Sequence, residues 1–247
     1  MIEWNDIKWL RMYYGDDLIN KMYIGDTQVY PRYGSTPSGS LPTPFNLNLN
    51  AKEFDSVNNA FPNAETADIP VGITLTGTPT VHDDYITVTN NCWGRLSGYQ
   101  SNFNLSYNDE FTVIFKVTPT NQSEYGNVLA NRGSNYNWMA RVDENNMAYL
   151  HGMDSYQNIT VPVSATPNIV VMRVSGGTLT LQSITDNTTS TGSWRPGSTN
   201  SYGVSLFSGY YDYYGEKFIG DFYWLYQAKR CLTDDEVQEV INYNENL

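Results

Sequence analysis

The chain contains few of the residues on which metal sites, nucleophilic enzymes and disulfide-stabilised folds depend. Its 247 residues include two cysteines and two histidines, and charged residues make up only 16% of the sequence. Two cysteines do not form a disulfide framework, so we expect Cys92 and Cys231 to be reduced and packed. Neither His82 nor His151 lies in a two-histidine metal motif, and we expect each to be a surface or edge residue. A Ser-His-Asp triad stays open, because its members meet only in the folded chain.

Positive charge is also scarce. Lys and Arg total 14 against 26 Asp and Glu, which gives a formal net charge of −12. Because an acidic surface repels phosphate groups, nucleic acid and anionic membranes are poor partners. No apolar run reaches the roughly 18 residues that a membrane span needs, and residues 1–10 mix apolar and charged side chains. We therefore expect neither a secretion signal nor membrane insertion.

The abundant residue types favour short strands and turns. Asn, Ser, Thr, Gly and Tyr dominate, and the 20 Tyr, 9 Phe and 6 Trp argue against disorder. Residues 111–118 alternate apolar and polar side chains, which predicts a strand with one packed and one solvent-facing side. Residues 169–174 and 222–226 are nearly continuous apolar runs, which predicts strands covered on both sides. We predict an all-β fold, a two-sheet antiparallel jelly-roll sandwich. The predicted strands begin near Phe45 and include residues 72–75, 85–89, 111–118, 127–130, 138–142, 147–150, 169–174, 178–184, 204–207 and 218–227.

One short helix is predicted at the C-terminus. Thr233 and Glu236 have the spacing of a capping box, and the acidic first turn suits the helix dipole. Val237, Val240 and Ile241 then recur at helical spacing, which gives one apolar stripe to lay against the sandwich.

The N-terminus carries a ten-residue repeat, in which RMYYGDD (residues 11–17) returns as KMYIGDT (residues 21–27). Each copy is an aromatic and apolar run that ends in Gly-Asp, a pair suited to a tight turn. The repeat predicts a three-stranded β-meander over residues 7–32, with turns near Gly15 and Gly25. Because so few residues bury little surface by themselves, the apolar side chains of this N-terminal arm need a partner. The predicted assembly-anchoring residues are Trp4, Trp9, Met12, Tyr13, Met22 and Tyr23.

Residues 33–44, YGSTPSGSLPTP, form the one clear boundary in the chain. Three prolines remove backbone donors, and the Gly and Ser residues between them add flexibility, which is typical of a linker. We therefore divide the chain into an N-terminal anchoring arm (1–32), a Pro/Gly/Ser linker (33–44) and a jelly-roll domain (45–247).

The order of motifs beyond the linker resembles the concanavalin A-like or laminin G-like jelly roll. The resemblance rests on FTVIFKV (111–117), on VMRV (171–174) followed by a Gly-Gly pair and LTL (179–181), and on FIGDF (218–222) leading into LTDDEV (232–237). It covers about residues 45–247. Its last part, a closing strand and the Leu-Thr-x-x-Glu-Val helix, is the most characteristic.

The segment KMYIGDTQVY (21–30) is similar to a short segment that begins many structural proteins of tailed bacteriophages, often before a linker and a laminin G-like domain. This resemblance implies a virion fibre or capsid decoration protein that lies on the virion surface and docks on capsid, portal or tail proteins. It also implies a homo-oligomer, with a trimer as the usual form. The alternatives are a secreted or cell-surface carbohydrate-binding module of a bacterium and, less favoured, a glycan hydrolase.

Catalytic carboxylates are hard to find in the sequence. Some enzymes that this fold resembles cleave β-glucans with a Glu-x-Asp-x-x-Glu triplet on one strand, and no such triplet occurs here. The nearest acidic clusters are placed in predicted turns or in the helix cap, so we predict no enzyme activity and no cofactor. The resemblance often brings a calcium ion, for which Asp83, Asp84 or Asp143 could supply oxygen ligands, although solvated turn acids are the simpler interpretation.

Three aromatic and polar segments predict a surface that binds carbohydrate, including host glycans, in residues 91–100, 131–138 and 208–214. Sugar C–H faces stack on aromatic rings, while sugar hydroxyls need planar amide and carboxylate partners. The same residues could instead pack against a neighbouring subunit or form core. The predicted carbohydrate-binding residues are Trp93, Tyr99, Arg132, Asn135, Tyr136, Trp194, Tyr211, Asp212 and Tyr213.

Overall fold

The computed structural model describes most of the jelly-roll domain and part of the arm. The described residues are 46–62, 72–96, 102–120, 125–132, 136–152, 159–164, 166–199, 203–209 and 216–246, together with the backbone of four short strands in the arm. In the arm, β1 (Tyr13–Tyr14) pairs with β2 (Asp17–Leu18), and β3 (Met22–Ile24) pairs with β4 (Thr27–Tyr30).

These pairings correct the prediction for the arm. The described strands form two separate two-stranded pairs instead of one three-stranded meander. Each ten-residue repeat supplies both strands of its own pair. Trp4, Trp9 and Met12, and the side chains of Tyr13, Met22 and Tyr23, lie outside the described residues.

The domain after the linker is nearly all strand. Its described residues include one 3₁₀ turn (Ala51–Glu53) and one α-helix, α1 (Asp234–Glu245). Its strands are β5 (Leu47–Asn50), β6 (Ala60–Phe61), β7 (Ile73–Thr76), β8 (Thr80–Val81), β9 (Ile86–Val88), β10 (Trp93–Leu96), β11 (Phe111–Pro119), β12 (Tyr125–Arg132), β13 (Tyr136–Asp143), β14 (Met147–His151), β15 (Val161–Pro162), β16 (Asn168–Ser175), β17 (Thr178–Ser183), β18 (Thr188–Ser193), β19 (Val204–Leu206) and β20 (Gly220–Ala228).

These strands form two antiparallel sheets of eight strands each. The first sheet has the order β15-β14-β13-β12-β19-β10-β7-β6. The second has the order β18-β17-β16-β11-β20-β9-β8, and β5 pairs with β20 beside β9. Strands far apart in sequence lie side by side in both sheets, as in β12 next to β19. This arrangement confirms the predicted two-sheet antiparallel sandwich.

One continuous apolar core lies between the sheets. Phe111, Val113, Phe115 and Val117 contribute to it from the centre of the second sheet and are fully buried. Trp138 reaches it from the first sheet, where its ring centroid lies 4.5 Å from that of Phe111. Burial of this many large apolar side chains from both sheets is the main stabilising term of the fold.

α1 covers the second sheet on the side away from the core. The helix has the predicted capping box, and Val237, Val240 and Ile241 pack against strand residues such as Ile114 and Trp224. The helix corrects the prediction that the polar side of β11 meets solvent along its length. Thr112 is fully buried under the chain that leads into α1. Its hydroxyl donates to the carbonyl of Arg230 at 2.8 Å. Among the described residues, no helix has the length and apolar character to cross a membrane.

Five strands were not predicted from the sequence, and four of them lie at or near sheet edges. β18 shows the reason most clearly, because its sequence TTSTGS contains no apolar residue and its side chains are half-buried or exposed. Hydrophobic alternation marks a strand only where one face packs on a core. β6, β8, β10 and β15 are too short, at two to four residues, to show a period.

Candidate functional site

The polar surface of interest lies on the first sheet, on the side away from the core. On β13 and β14, Ala140 and Leu150 belong to the core, so the alternate residues Arg141, Tyr149 and His151 lie on the opposite face. We call this surface the outer face and define it by ten residues of five strands and by one residue beyond the strands. They are Trp93, Arg95, Asn127, Ala130, Arg132, Met139, Arg141, Tyr149, His151 and Ser205, with Glu216 above them.

The strand register arranges the outer face in rows. Tyr149 pairs with Arg141, and Arg141 pairs with Asn127, so these three side chains form one row across β14, β13 and β12. The next row runs from His151 through Met139 towards β19 and β10. Directly opposed residues in antiparallel strands have Cβ atoms about 4.5–5.5 Å apart, so side chains in a row contact one another.

Glu216 is brought over this face by a kink in the chain after β19. Phe207 has φ 61°, in the left-handed region, and its backbone N–H donates to the carbonyl of Val128 at 3.0 Å. Phe218 donates to the carbonyl of Phe207 on the return, at 3.2 Å. A left-handed conformation is costly for an aromatic residue, by about 1–3 kcal/mol. The ring of Phe207 lies in the core, with its centroid 4.9 Å from that of Phe222, and this packing offsets the cost.

The carboxylate of Glu216 lies between two guanidinium groups. Arg132 donates to Oε2, and Nη2 of Arg141 lies 3.3 Å from Oε1. Gly209 leaves room for this carboxylate, because a Cβ at that position would overlap Oε2. The side chain of Asn127 also holds the backbone here, since its Nδ2 donates to the Glu216 carbonyl at 2.7 Å.

Arg141 is held in a single position by several partners. Its side chain is only 5% exposed. Its Nε donates to Oδ1 of Asn127 at 2.7 Å, its Nη2 lies 3.1 Å from the sulfur of Met139, and its guanidinium carbon lies 5.0 Å from the ring centroid of Tyr125. A buried cation requires such partners, because removing it from water costs several kcal/mol. The outer face therefore carries a rigid positive group.

Two neighbouring side chains remain neutral beside these arginines. Burial lowers the pKa of His151 to about 4, and the positive charges of Arg141 and Arg132 lower it further than burial alone would. Burial raises the pKa of Tyr149 to about 12, partly opposed by the charge of Arg141. The Tyr149 hydroxyl is buried beside the guanidinium group of Arg141. At neutral pH the outer face thus presents guanidinium groups, a phenol and an uncharged imidazole.

The structure places some of the predicted carbohydrate-binding residues on this face. Arg132 is part of the cluster, and Trp93 is half-buried on β10. The structure corrects the prediction that Trp194 binds carbohydrate. The side chain is 1% exposed and packs in the core, so its ring cannot stack on a sugar. It follows β18, whose residues gave no sign of how far the chain turns inward. The other predicted residues, Tyr99, Asn135, Tyr211, Asp212, Tyr213 and the side chain of Tyr136, lie outside the described residues.

Several residues of the outer face were missed from the sequence. Arg141, Tyr149 and His151 alternate with core residues along β13 and β14, and this alternation was the signal that could have found them. Glu216 had no comparable signal, because its contact with Arg132 joins residues that are 84 positions apart in the sequence.

A second cleft, of about 190 Å³, lies between the second sheet and α1. Its charges pair one to one: Lys52 lies 3.3 Å from Asp84, and Lys116 lies 2.7 Å from Glu245. Glu245 also accepts from the indole Nε1 of Trp224 at 2.8 Å. This cleft is internally neutralised, so the outer face is the stronger candidate.

Catalytic and metal-binding groups were sought in the same regions. Within the described part of the chain, no three His, Cys, Asp or Glu side chains are grouped to hold a metal ion. Of the acids suggested for calcium, Asp143 accepts the backbone N–H groups of Asn145 and Met147, both at 2.9 Å, and Asp84 pairs with Lys52. Cys92 and Cys231 are free thiols, as predicted.

The chain was compared with families and proteins of known structure. No family model and no curated protein matches it. Among solved structures, it is similar to a Trypanosoma rangeli sialidase in complex with sialic acid, with 11% identity and a TM-score of 0.55 over 83% of this chain and 34% of that one. The chain thus spans about a third of the sialidase.

Two further solved structures show the same fold. One is domain 4 of an extracellular GH43 arabinanase from Geobacillus stearothermophilus in complex with arabinotriose, with 14% identity and a TM-score of 0.54 over 81% of this chain and 98% of that domain. The other is botulinum neurotoxin type C, described as entering cells through two ganglioside molecules, with 8% identity and a TM-score of 0.56 over 82% of this chain and 51% of that one. At such identities the likeness establishes the fold alone.

Proposed function

We propose that the sandwich is a non-catalytic glycan-binding domain and that it binds through the outer face. The observation that carries the proposal is the fixed cluster of Arg132, Arg141 and Glu216, with Tyr149 and His151 beside it. Planar charged groups suit the hydroxyls and substituents of a sugar, and the half-buried Trp93 supplies a ring on the same face. A pre-positioned polar surface loses little side-chain entropy on binding.

The structural neighbours support this proposal because each of them interacts with a sugar or a sugar-bearing lipid. The sialidase is in complex with sialic acid, the arabinanase domain is in complex with arabinotriose, and cell entry of the neurotoxin depends on interaction with gangliosides. The arabinanase domain is the most informative of the three, because nearly its whole length matches this sandwich. A single domain of this fold can thus hold an oligosaccharide.

The proposal of a non-catalytic domain follows from the way in which the carboxylates are held. Most glycosidases place two carboxyl groups on either side of the scissile bond, about 5–10 Å apart. Two described carboxylates lie on this side of the sheet, Glu216 and Asp143. Both oxygens of Glu216 are engaged by arginines, and Asp143 accepts the backbone N–H groups of Asn145 and Met147. Acids held in this way do not form a proton donor and nucleophile pair.

The test is a glycan array probed with the full chain and two variants. We expect the wild type to bind a subset of glycans and Arg132→Gln to lose at least about tenfold in affinity, because one charge-assisted bond contributes roughly 1.5–3 kcal/mol. Lys52→Gln, in the neutralised second cleft, is the matched control and should bind like the wild type. Absence of any bound glycan, or equal binding by Arg132→Gln, would remove the proposal, and release of sugar from a bound glycan would contradict the non-catalytic part.

The finer proposal is that the arm anchors this domain in a virion, with the domain displayed as a fibre or decoration protein. Its support is the segment at residues 21–30 and the two small hairpins, which are too short to be stable in isolation. None of the structural neighbours described above is a virion protein, and the alternative, a secreted or cell-surface bacterial carbohydrate-binding module, fits them equally. Oligomerisation, including the expected trimer, stays a prediction.

A further inference from the structure

β18 (Thr188–Ser193) is the last strand of the second sheet, and one of its edges is open. No described strand pairs with it on the side away from β17. It has six residues, none of them charged and none of them proline, and its side chains are alternately half-buried and exposed. An edge of this kind offers unpaired N–H and C=O groups to another strand.

The other open edges among the described strands carry features that discourage strand pairing. β15 and β6 have two residues each, with Pro162 inside β15 and Pro62 directly after β6. β8 also has two residues, and it lies between Pro79 and the acidic pair Asp83 and Asp84. All four residues of β5 are buried. Because natural sheets use short strands, proline, charge and burial to prevent edge pairing, β18 is the described edge that is suited to pair.

The direction of the backbone groups of β18 follows from one hydrogen bond at its end. The N–H of Trp194 donates to the carbonyl of Gly177 at 2.8 Å, in the register of the β17–β18 ladder. In an antiparallel ladder, residues that exchange both hydrogen bonds with the partner strand alternate with residues that exchange none. Even-numbered residues of β18 therefore bond to β17, whereas Thr189, Thr191 and Ser193 direct their N–H and C=O groups to the open edge.

We propose that β18 pairs antiparallel with β18 of a second copy of this chain, so that the two second sheets become one continuous sheet. A two-fold axis at Thr191 places Thr191 opposite Thr191 of the second copy and Thr189 opposite Ser193 of the second copy. Each of these pairs joins outward-directed residues, so each exchanges two backbone hydrogen bonds. Their side chains are exposed Thr and Ser hydroxyls, which form favourable cross-strand pairs. The edge is thus self-complementary, as a two-fold interface requires.

The two ends of β18 add charged and apolar contacts in the same register. Asn187 lies opposite Arg195 of the second copy, so the exposed Arg195 approaches the turn that contains Asp186, a residue of opposite charge. Ile184, which is 41% exposed, lies in the same turn. Tyr107, which is 49% exposed, lies beside Arg195, whose guanidinium carbon is 5.4 Å from its ring centroid. Pairing therefore brings exposed apolar side chains of the two copies towards each other at both ends of the strand.

This pairing has a consequence for the candidate glycan site. A two-fold axis perpendicular to the shared sheet keeps the first sheets of both copies on one side of it, so the two outer faces point the same way. Two sites that reach one glycan-bearing surface together raise the avidity without any new contact. This consequence rests on the proposed glycan-binding function, whereas the pairing itself does not. A two-fold interface also gives a dimer instead of the trimer that the phage resemblance implies.

Sedimentation equilibrium of the full chain, from about 1 μM to about 1 mM, tests the pairing. We expect the wild type to pass from monomer to dimer within this range, because a strand pair forms a small interface of under about 1,200 Å². Thr191→Lys should weaken the association at least about tenfold, because like charges directly opposite each other across two strands are destabilising. Thr80→Lys makes the same change at an exposed threonine on β8, and this matched control should associate like the wild type.

Amide hydrogen exchange measured by NMR locates the interface in the wild type. The N–H groups of Thr189, Thr191 and Ser193 should exchange at least about tenfold more slowly in the dimer than in dilute monomer, whereas the N–H of Ser190, bonded to β17, should stay protected in both. A monomer at the highest concentration, a trimer, or a dimer without slower exchange at these three residues would overturn the proposal. Equal association of a folded Thr191→Lys variant and the wild type would do the same. A chain that stays monomeric but binds glycans leaves the proposed function standing.

Discussion

Arg141 shows how one residue can be costly for folding and useful for binding. It lies between the core residues Ala140 and Val142 on β13, and its side chain is almost fully covered. Removing a guanidinium group from water is offset only by good partners, which here are Asn127 and Glu216. A replacement by an apolar side chain could pack as well, so stability alone does not explain a charge at this position.

His151 should make the stability of the domain depend on pH. Its pKa is about 4 in the folded chain and 6.5 when unperturbed. The folded state therefore binds fewer protons than the unfolded state between these values. The resulting stabilisation is complete above pH 6.5 and is lost as the pH falls towards 4.

We expect the urea midpoint of the wild type to fall between pH 7 and pH 4.5 by more than that of His151→Gln. Replacement of the exposed His82 by Gln is the control and should leave the wild-type pH dependence in place. The measurement is urea unfolding followed by tryptophan fluorescence at both pH values. Equal pH dependence in the wild type and His151→Gln would contradict the assignment of His151 as a neutral, half-buried imidazole.

At the scale of elements, the chain uses two different devices to change direction. The hairpin between β16 and β17 turns through Gly176 and Gly177, with φ 55° and 74°, which are the positive values of a type I′ turn. After β19 the turn is made by Phe207 instead, and its ring must be packed in the core to hold that conformation. The first device is local and visible in the sequence, whereas the second depends on the core.

The hairpin predicts a contrast between two substitutions at one position. A Cβ at Gly176 meets nothing within 4 Å, so space does not limit a side chain there. Gly176→Asn should change the free energy of unfolding little, because Asn tolerates positive φ. Gly176→Val should lower it by about 1–2 kcal/mol, because a β-branched residue does not tolerate it. Urea unfolding measures both, and similar losses in the two variants would show that φ does not set the cost.

On the scale of the whole molecule, the described core joins residues of both sheets of the jelly-roll domain. All core residues whose burial is known lie at or beyond Leu47, and they come from both sheets. α1 covers the second sheet on the side away from the core. The first sheet has no such helix among the described residues, so it can present a polar surface. The candidate site therefore lies on the sheet without the helix.

Deletion of residues 1–44 should leave this core intact. We expect the truncated chain to be soluble and to unfold in urea at the wild-type midpoint, because the described residues of the jelly-roll domain already form one continuous core between the two sheets. If the virion proposal is right, the truncated chain should also fail to join particles that incorporate the full chain. A large loss of midpoint would show that the arm packs on the sandwich, and unchanged incorporation would refute the anchoring role.

Some elements of the fold and of the candidate site could be predicted from the sequence, and others could not. Strands of the core, such as β11 and β16, and the capped helix α1 were predictable, because local alternation and the Thr233–Glu236 pair encode them. Edge strands such as β18 were not, because their side chains face no core. In the candidate site, Arg132 was predicted, whereas Trp194 was wrongly placed at the surface and proved to be buried.

By itself, the sequence determined the all-β class and the C-terminal helix. These follow from periodicities and capping residues that act over a few positions. Only the tertiary structure decided that Arg132, Arg141 and Glu216 meet. Glu216 lies 84 positions from Arg132 along the chain, and strand order together with the packed kink at Phe207, not any local pattern, brings such residues together.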